Sequence, residues 1–263
     1  MIDSVRGARR EAERSRSLRV VWSWVDDGST DGTAEWLASH LRVADAEVLV
    51  ANESNSYAAA ARNQAVARFA SDVVNIFDSD DEMYPHHLVA GHDTLFPPSE
   101  HGKLYGAMTT LTDFGDGDAL HPEWVRRISI VNVNTTFYRR EVWDFLEGMP
   151  DRGIYRHLGG EDQDIIGLLN PFFPLGIATI ATARYWRYPG NAFDQQLEKF
   201  RSDPAFWIEP MAPIERRHLN DVREAYFQAR LRYLKLKLSR MVPVGAFNHL
   251  RTGPAFVELG LTY

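Results

Sequence analysis

Two short apolar runs each end abruptly in a cluster of carboxylates. Leu18–Val25 (LRVVWSWV) runs into Asp26-Asp27-Gly28-Ser29-Thr30-Asp31-Gly32-Thr33, and Asp72–Phe77 (DVVNIF) runs into Asp78-Ser79-Asp80-Asp81. Runs this short suit buried strands, and turns this rich in Asp, Gly and Ser suit strand ends that meet water. Between them the pattern predicts a helix over Thr33–His40 with Thr33 as its cap, a strand over Val48–Ala51 and a helix over Ala58–Phe69. Strands and helices alternating in this way predict an α/β fold, with a mostly parallel sheet flanked by helices. In open sheets of that kind ligands bind beyond the carboxyl ends of the strands, where both acidic clusters fall.

Further along, helices are predicted over Asp3–Ser17, His86–Leu95, Arg139–Glu147 and Ile165–Leu169, and strands over Leu104–Thr112 and Ile128–Asn134. A long helix is predicted over Asp221–Met241, stopped by Pro243. The most apolar stretch, Pro171–Trp186, contains Pro171, Pro174, Gly176 and Arg184. A spanning helix needs about 20 apolar residues, so this stretch reads as core. The charged start of the chain lacks the apolar run of a signal peptide, and the expectation is a soluble cytoplasmic protein, with the inner face of the membrane as an alternative location. There is no cysteine, which excludes a disulfide framework, a thiolate metal site and a cysteine nucleophile. Of the net charge of −7, residues 1–19 hold +3 and residues 216–240 hold +6, leaving −16 for the remainder. An acidic body argues against nucleic acid as a partner and suits a divalent cation.

Three groups of residues carry candidate chemistry. Asp27 can accept hydrogen bonds from a base or ribose, or serve only as a polar turn. A calcium loop over Asp27, Ser29, Asp31 and Gly32 fails at its twelfth position, which is Ala38, and it follows a strand rather than a helix. Asp78 and Asp80 are alternate residues of an extended segment, so their side chains can converge on one ligand; the rival reading is a solvated acidic loop. Oxygen-only ligands favour Mg²⁺ or Mn²⁺, which also bind substrate phosphates. Glu161 and Asp162, after Gly159-Gly160, either cap a helix or provide a general base. Trp22, Trp24 and Trp36 read as packing residues, whereas Trp124, Trp143 and Trp186 read equally as packing or as an acceptor surface. His86, His87 and His92 read as part of a surface helix. The basic stretch Arg216–Arg240 has a rough apolar stripe, which suits packing on the body or peripheral contact with a membrane.

The order of these pieces is more specific than any one of them. VVWSWVDDGSTDGTAEWL, then Asn55 through Arg62-Asn63, then SDVVNIFDSDDEMY and Gly160-Glu161-Asp162 resemble the family-2 glycosyltransferases of GT-A fold. The resemblance is nearly gapless from Val20 to Tyr84, passes through Asn134–Val142 and reaches Phe193. It implies a GT-A-like (Rossmann-like) fold over 1–200, with a nucleotide-sugar-binding half (1–96) and an acceptor-binding half (97–200), followed by a C-terminal helical extension over 201–263. It implies Asp27, Gly28, Ser29, Asn55, Arg62 and Asp78 as residues binding a nucleotide-diphosphate sugar donor. It implies Asp78 and Asp80 as ligands of Mg²⁺ or Mn²⁺, with Asp81 able to share that role. Asp162 is implied as the catalytic base, with Glu161 the second candidate, and a glycan, glycolipid or other hydroxyl compound as acceptor.

The chain departs from the family pattern in four places. The family opens with a strand and an IPxYN-like turn, and this chain begins within the helix that follows, so a central strand is expected to be missing. The usual Gly after the loop Asn is Tyr57, the Gly after RNx is Ala65, and Tyr188 stands where the family often has a His. These departures keep open a protein that binds nucleotide or a partner without turnover. A nucleotidyltransferase shares the α/β layout and is a third reading.

Overall fold

The computed structural model describes residues 1–41, 46–96, 105–115, 122–188, 214–253 and 256–259. Helix α1 (Ile2–Arg16) leads to β1 (Trp22–Asp26), α2 (Thr33–His40), β2 (Glu47–Ala51), α3 (Ala58–Val66), β3 (Val73–Asn75) and β4 (Glu82–Met83). Then follow α4 (His87–Leu95), β5 (Ala107–Asp113), α5 (Pro122–Val131), a 3₁₀ turn (Val133–Thr135), β6 (Thr136–Arg139) and α6 (Arg140–Leu146). The last elements are α7 (Tyr155–Leu158), α8 (Glu161–Leu169), β7 (Leu175–Arg184), the long α9 (Ile214–Met241) and β8 (Phe256–Leu259). The anticipated boundary between 200 and 201 lies outside the described residues.

Alternation of strand and helix holds as expected. The strands fall into two sheets: β1 and β2 pair parallel, and β3-β6-β5-β7-β4 form a second sheet with β8 added beside β7. In the larger sheet β5–β7 and β7–β8 are parallel, while β3–β6, β5–β6 and β4–β7 are antiparallel, so it is mixed. Among the described residues no strand of one sheet pairs with a strand of the other. Helices join them instead. On one side α3 packs on β1 and buries Ala59 with Val74 of β3. Elsewhere Val5 and Ala8 of α1 gather Trp22 and Trp24 of β1 with Phe77, Met83 and Leu88.

The principal core lies between the larger sheet and α6, α8 and α9. Phe145 meets Phe172, Phe173 and Phe247 edge to face at 5.4–5.6 Å between ring centroids. Leu234 of α9 is fully buried in the same cluster, so the C-terminal helix packs on the body. Three basic residues at heptad spacing reinforce this: Arg223, Arg230 and Lys237 all turn inward. Arg230 donates to the carbonyls of Leu146, Glu147 and Gly148, and Lys237 to Phe145 O at 2.9 Å and the Glu147 carboxylate at 2.9 Å. Cations are favoured there because the last carbonyls of α6 are otherwise unpaired. Among the described residues no helix is long and apolar enough to cross a membrane.

Several expectations change. Ile128–Asn134 is not a strand but the end of α5 and a 3₁₀ turn, in which Asn132 accepts a hydrogen bond from Asn134 N at 3.0 Å. Ile128 and Ile130 of this stretch pack, partly buried, against two hydrophobic clusters, and that packing outweighs their strand preference. His87 is fully buried rather than on the surface, between Thr182 Oγ1 (2.8 Å) and Asn75 Oδ1 (3.1 Å), and burial pushes its pKa down to about 3. Trp36 is 51% exposed and stacks on His40 instead of packing in a core, whereas Trp143 is buried against Tyr138.

Truncating the aromatic centre tests this core. Phe145→Ala is expected to cost about 3–5 kcal/mol, and Trp36→Ala under about 0.5 kcal/mol, as read by urea denaturation.

Candidate active site

Acidic residues follow β1 (Asp27) and β3 (Asp78–Asp81) and open α8 (Glu161, Asp162), and one arginine ties the second group to the third. The centre is Arg62 on α3. Its Nη2 donates to both oxygens of Asp78 (2.9 and 3.1 Å), and its Nη1 donates to Glu161 Oε1 at 3.1 Å. The neighbouring Asn63 points differently: its side chain exchanges two hydrogen bonds with the backbone of Met149, at 2.9 and 3.0 Å. The RN pair therefore supplies one ion-pair centre and one backbone clamp on successive helix positions.

The Asp78–Asp81 loop is fixed from below. Asn134 accepts from Asp78 N at 2.8 Å and donates to the Asp81 carboxylate. The other Asp81 oxygen accepts from Trp186 N at 3.0 Å. Asp81 is thus turned inward, almost wholly buried, and desolvation pushes its pKa up to about 7. It holds the loop instead of joining Asp78 and Asp80 toward solvent. Asp80 is exposed, and Tyr188 donates to it at 3.3 Å, so the phenol in the place of the family His does reach the acidic loop.

Asp27 is engaged by the 52–57 loop. Ser56 donates to it from Oγ (2.6 Å) and N (2.9 and 3.0 Å), and Asn52 from Nδ2 (2.8 Å). Burial by itself raises its pKa, but these donors outweigh it and hold the carboxyl below its ordinary value. Gly28, at φ +80°, lets that loop approach: a Cβ there would lie 2.7 Å from Ser54 C. Ser29 N donates to Asp26 Oδ2 at 3.2 Å, and Asn55 Oδ1 accepts from Tyr57 N at 2.9 Å. Asp31 accepts from Thr33 N and Oγ1, so it serves the start of α2, where Gly32 and not Thr33 is the cap residue. Asp27 and Asp31 therefore face different partners, which removes the calcium-loop reading.

Glu161 and Asp162 open α8, but neither is its cap; Gly160 is, in the left-handed region. Glu161 goes to Arg62. Asp162 accepts from Gln163 N at 2.7 Å, and desolvation, then the adjacent Glu161 charge, hold its pKa above the ordinary carboxylate value. A carboxylate raised in this way is a better proton acceptor at neutral pH than a solvated one. The sequence reading missed the pairing of Asp164, in the first turn of α8, with Arg223 and Tyr155; nothing local in the sequence joins Asp164 to Arg223.

Asp78 and Asp80 carry hard oxygen atoms of the kind a divalent cation takes, with both Asp78 oxygens engaged by Arg62 and Asp80 by Tyr188. Among the described residues no three acidic or imidazole groups converge to hold a metal.

Residues 24–90 match the family model for glycosyl transferase family 2. A comparison with curated proteins finds no match. The fold resembles the crystal structure of S. aureus TarS 1-349 in complex with UDP-GlcNAc, with TM-score 0.54 and 17% identity over 74% of this chain and 56% of that one. This chain thus spans little more than half of that structure. It also resembles the mannosyltransferase PcManGT from Pyrobaculum calidifontis in complex with GDP-Man and Mn²⁺, with TM-score 0.51 and 15% identity over 93% of this chain and 72% of that one. At such identities the likeness is one of fold.

One departure from the family has a measurable cost. Tyr57 sits at φ +72°, ψ 158°, a region that favours glycine, with Arg156 over its exposed ring at 4.7 Å. Tyr57→Gly is expected to stabilise the protein by about 1 kcal/mol, net of the lost stacking, and to raise the melting midpoint by about 2–4 °C in calorimetry.

Residues 24–90 thus match the glycosyl transferase family 2 model, and the described fold is similar to that of the two solved structures.

Proposed function

We propose that this chain is an inverting glycosyltransferase that moves a sugar from a nucleotide-diphosphate sugar to an acceptor hydroxyl, in the synthesis of polysaccharide, glycolipid or another cell-envelope glycan. The observation that carries the reading is the Arg62 bridge between Asp78 and Glu161, which brings the acidic loop after β3 against the start of α8. It sets a donor-binding acid and a candidate base on either side of one guanidinium.

In this reading Asp162 takes the proton of the acceptor hydroxyl. The acceptor oxygen forms its bond to the anomeric carbon as the bond from that carbon to the diphosphate oxygen breaks. The nucleoside diphosphate leaves with the electron pair, and attack from the opposite face inverts the carbon in one displacement. Arg62 offers positive charge beside Asp78, and Asp78 and Asp80 would hold Mg²⁺ or Mn²⁺, which neutralises charge on the leaving phosphates when bound. Asp27, Gly28, Ser29 and Asn55 would line the side of the base and ribose; Asp27 would trade part of its present hydrogen bonding for the nucleotide.

A second reading, nucleotide binding without turnover, is favoured by the break between the two sheets. Trp22 Nε1, Ser23 Oγ and Trp24 Nε1 are buried there without partners. Calorimetry with UDP and Mn²⁺, run beside a turnover assay, separates the readings. Binding accompanied by release of nucleoside diphosphate supports transfer, and binding with no turnover on any donor supports the second reading.

Asp162→Asn is expected to lower transfer about 10²–10⁴-fold with donor binding retained; an unchanged rate would sink the assignment of Asp162 as base. Glu161→Gln removes the like charge that helps raise the Asp162 pKa. A base is lost as pH falls through its pKa, so the acidic limb of the rate profile is expected to move to lower pH in Glu161→Gln.

A further inference from the structure

The first turn of α8 is held by a second arginine as well, from the C-terminal helix α9. Arg223 of α9 donates from Nε to Asp164 Oδ2 at 2.9 Å and from Nη2 to Asp164 Oδ1 at 2.5 Å. The same Nη2 donates to Gly160 O at 3.1 Å, the carbonyl that also accepts Asp164 N in the first turn of α8. Tyr155 adds a hydrogen bond to Asp164 Oδ2 at 2.7 Å and meets Tyr226 of α9 edge to face. The approach is close. A Cβ on Gly160 would lie 2.7 Å from the guanidinium, and one on Gly167, about two turns further along the same face of α8, 3.1 Å from Phe227. Gly160 also sits at φ +83°, so its lack of a side chain serves both the helix start and the clamp.

We propose that Arg223 is a positioning residue for the candidate base: the C-terminal helix sets the first turn of α8 and, through it, the carboxylate of Asp162. The inference rests on the glycosyltransferase reading for its effect on rate, but not for its effect on structure. Asp162 lies between Gly160 and Asp164, the two residues that Arg223 grips, and follows Glu161, which Arg62 grips. A bidentate pair with a planar guanidinium fixes orientation as well as distance, and a lysine at 223 keeps the charge but not the fork. Small displacements of a reacting group are costly, so loosening this grip acts on the chemical step more than on donor affinity.

The test uses the whole chain with Arg223→Met and Arg223→Lys. Nucleoside diphosphate release is followed with UDP-GlcNAc and with GDP-Man, and amide hydrogen exchange is followed in parallel. Arg223→Met is expected to lower kcat about 10–100-fold while donor KM changes under about twofold, with Arg223→Lys recovering part of the loss. Exchange at the amides of residues 164–166 is expected to rise about tenfold in Arg223→Met, with α3 and β6 unchanged. Unchanged exchange in α8, or a loss carried wholly by donor KM, would overturn the proposal. If the wild type releases no nucleoside diphosphate from either donor, the transfer reading fails for these donors, and the exchange comparison still decides whether Arg223 holds α8.

Discussion

One guanidinium faces two carboxylates at the centre of this molecule. Arg62 is largely buried, and a buried charge is tolerable only when it is paired and hydrogen-bonded, which Asp78 and Glu161 achieve together. Removing either carboxylate leaves the arginine half-paired; removing the arginine leaves like charges facing one another. Around it stand Asp80, Asp81 and Asp162, so acids outnumber bases. Burial first, and then the neighbouring negative charge, make Asp81 and Asp162 hold their protons more tightly than solvated carboxylates.

Much of that centre was legible in the sequence because its parts are local. An apolar run that ends in Asp-rich turn residues marks a strand end, and the two clusters after β1 and β3 fall where the fold puts ligands. Position within a cluster is another matter. Asp78, Asp80 and Asp81 read alike, yet Asp81 turns inward to Asn134 and Trp186 N because residues much later in the chain are there to receive it. The same limit hid His87, whose neighbours Thr182 and Asn75 come from two different strands. It also misled over Ile128–Asn134, where strand-forming residues are drawn into a helix by packing.

The C-terminal helix shows how composition conceals geometry. Counted together, its basic residues suit either the body or an anionic surface. Resolved by heptad, Arg223, Arg230 and Lys237 reach inward to a carboxylate and to the carbonyls that end α6, while Arg232, Lys235 and Arg240 stay exposed. Charge on the inner face serves the fold, and only the outer face remains available to a partner.

The gap between the two sheets has a thermodynamic consequence. Residues 22–51 share no strand pairing with the rest among the described residues, and their attachment is by side chains and by α1 and α3. Side-chain packing without a backbone ladder is the kind of join that yields first, so this portion is the unit expected to open first. Asp27 and Gly28 belong to that unit. A ligand that binds them stabilises the closed unit by mass action, so occupancy and local order rise together.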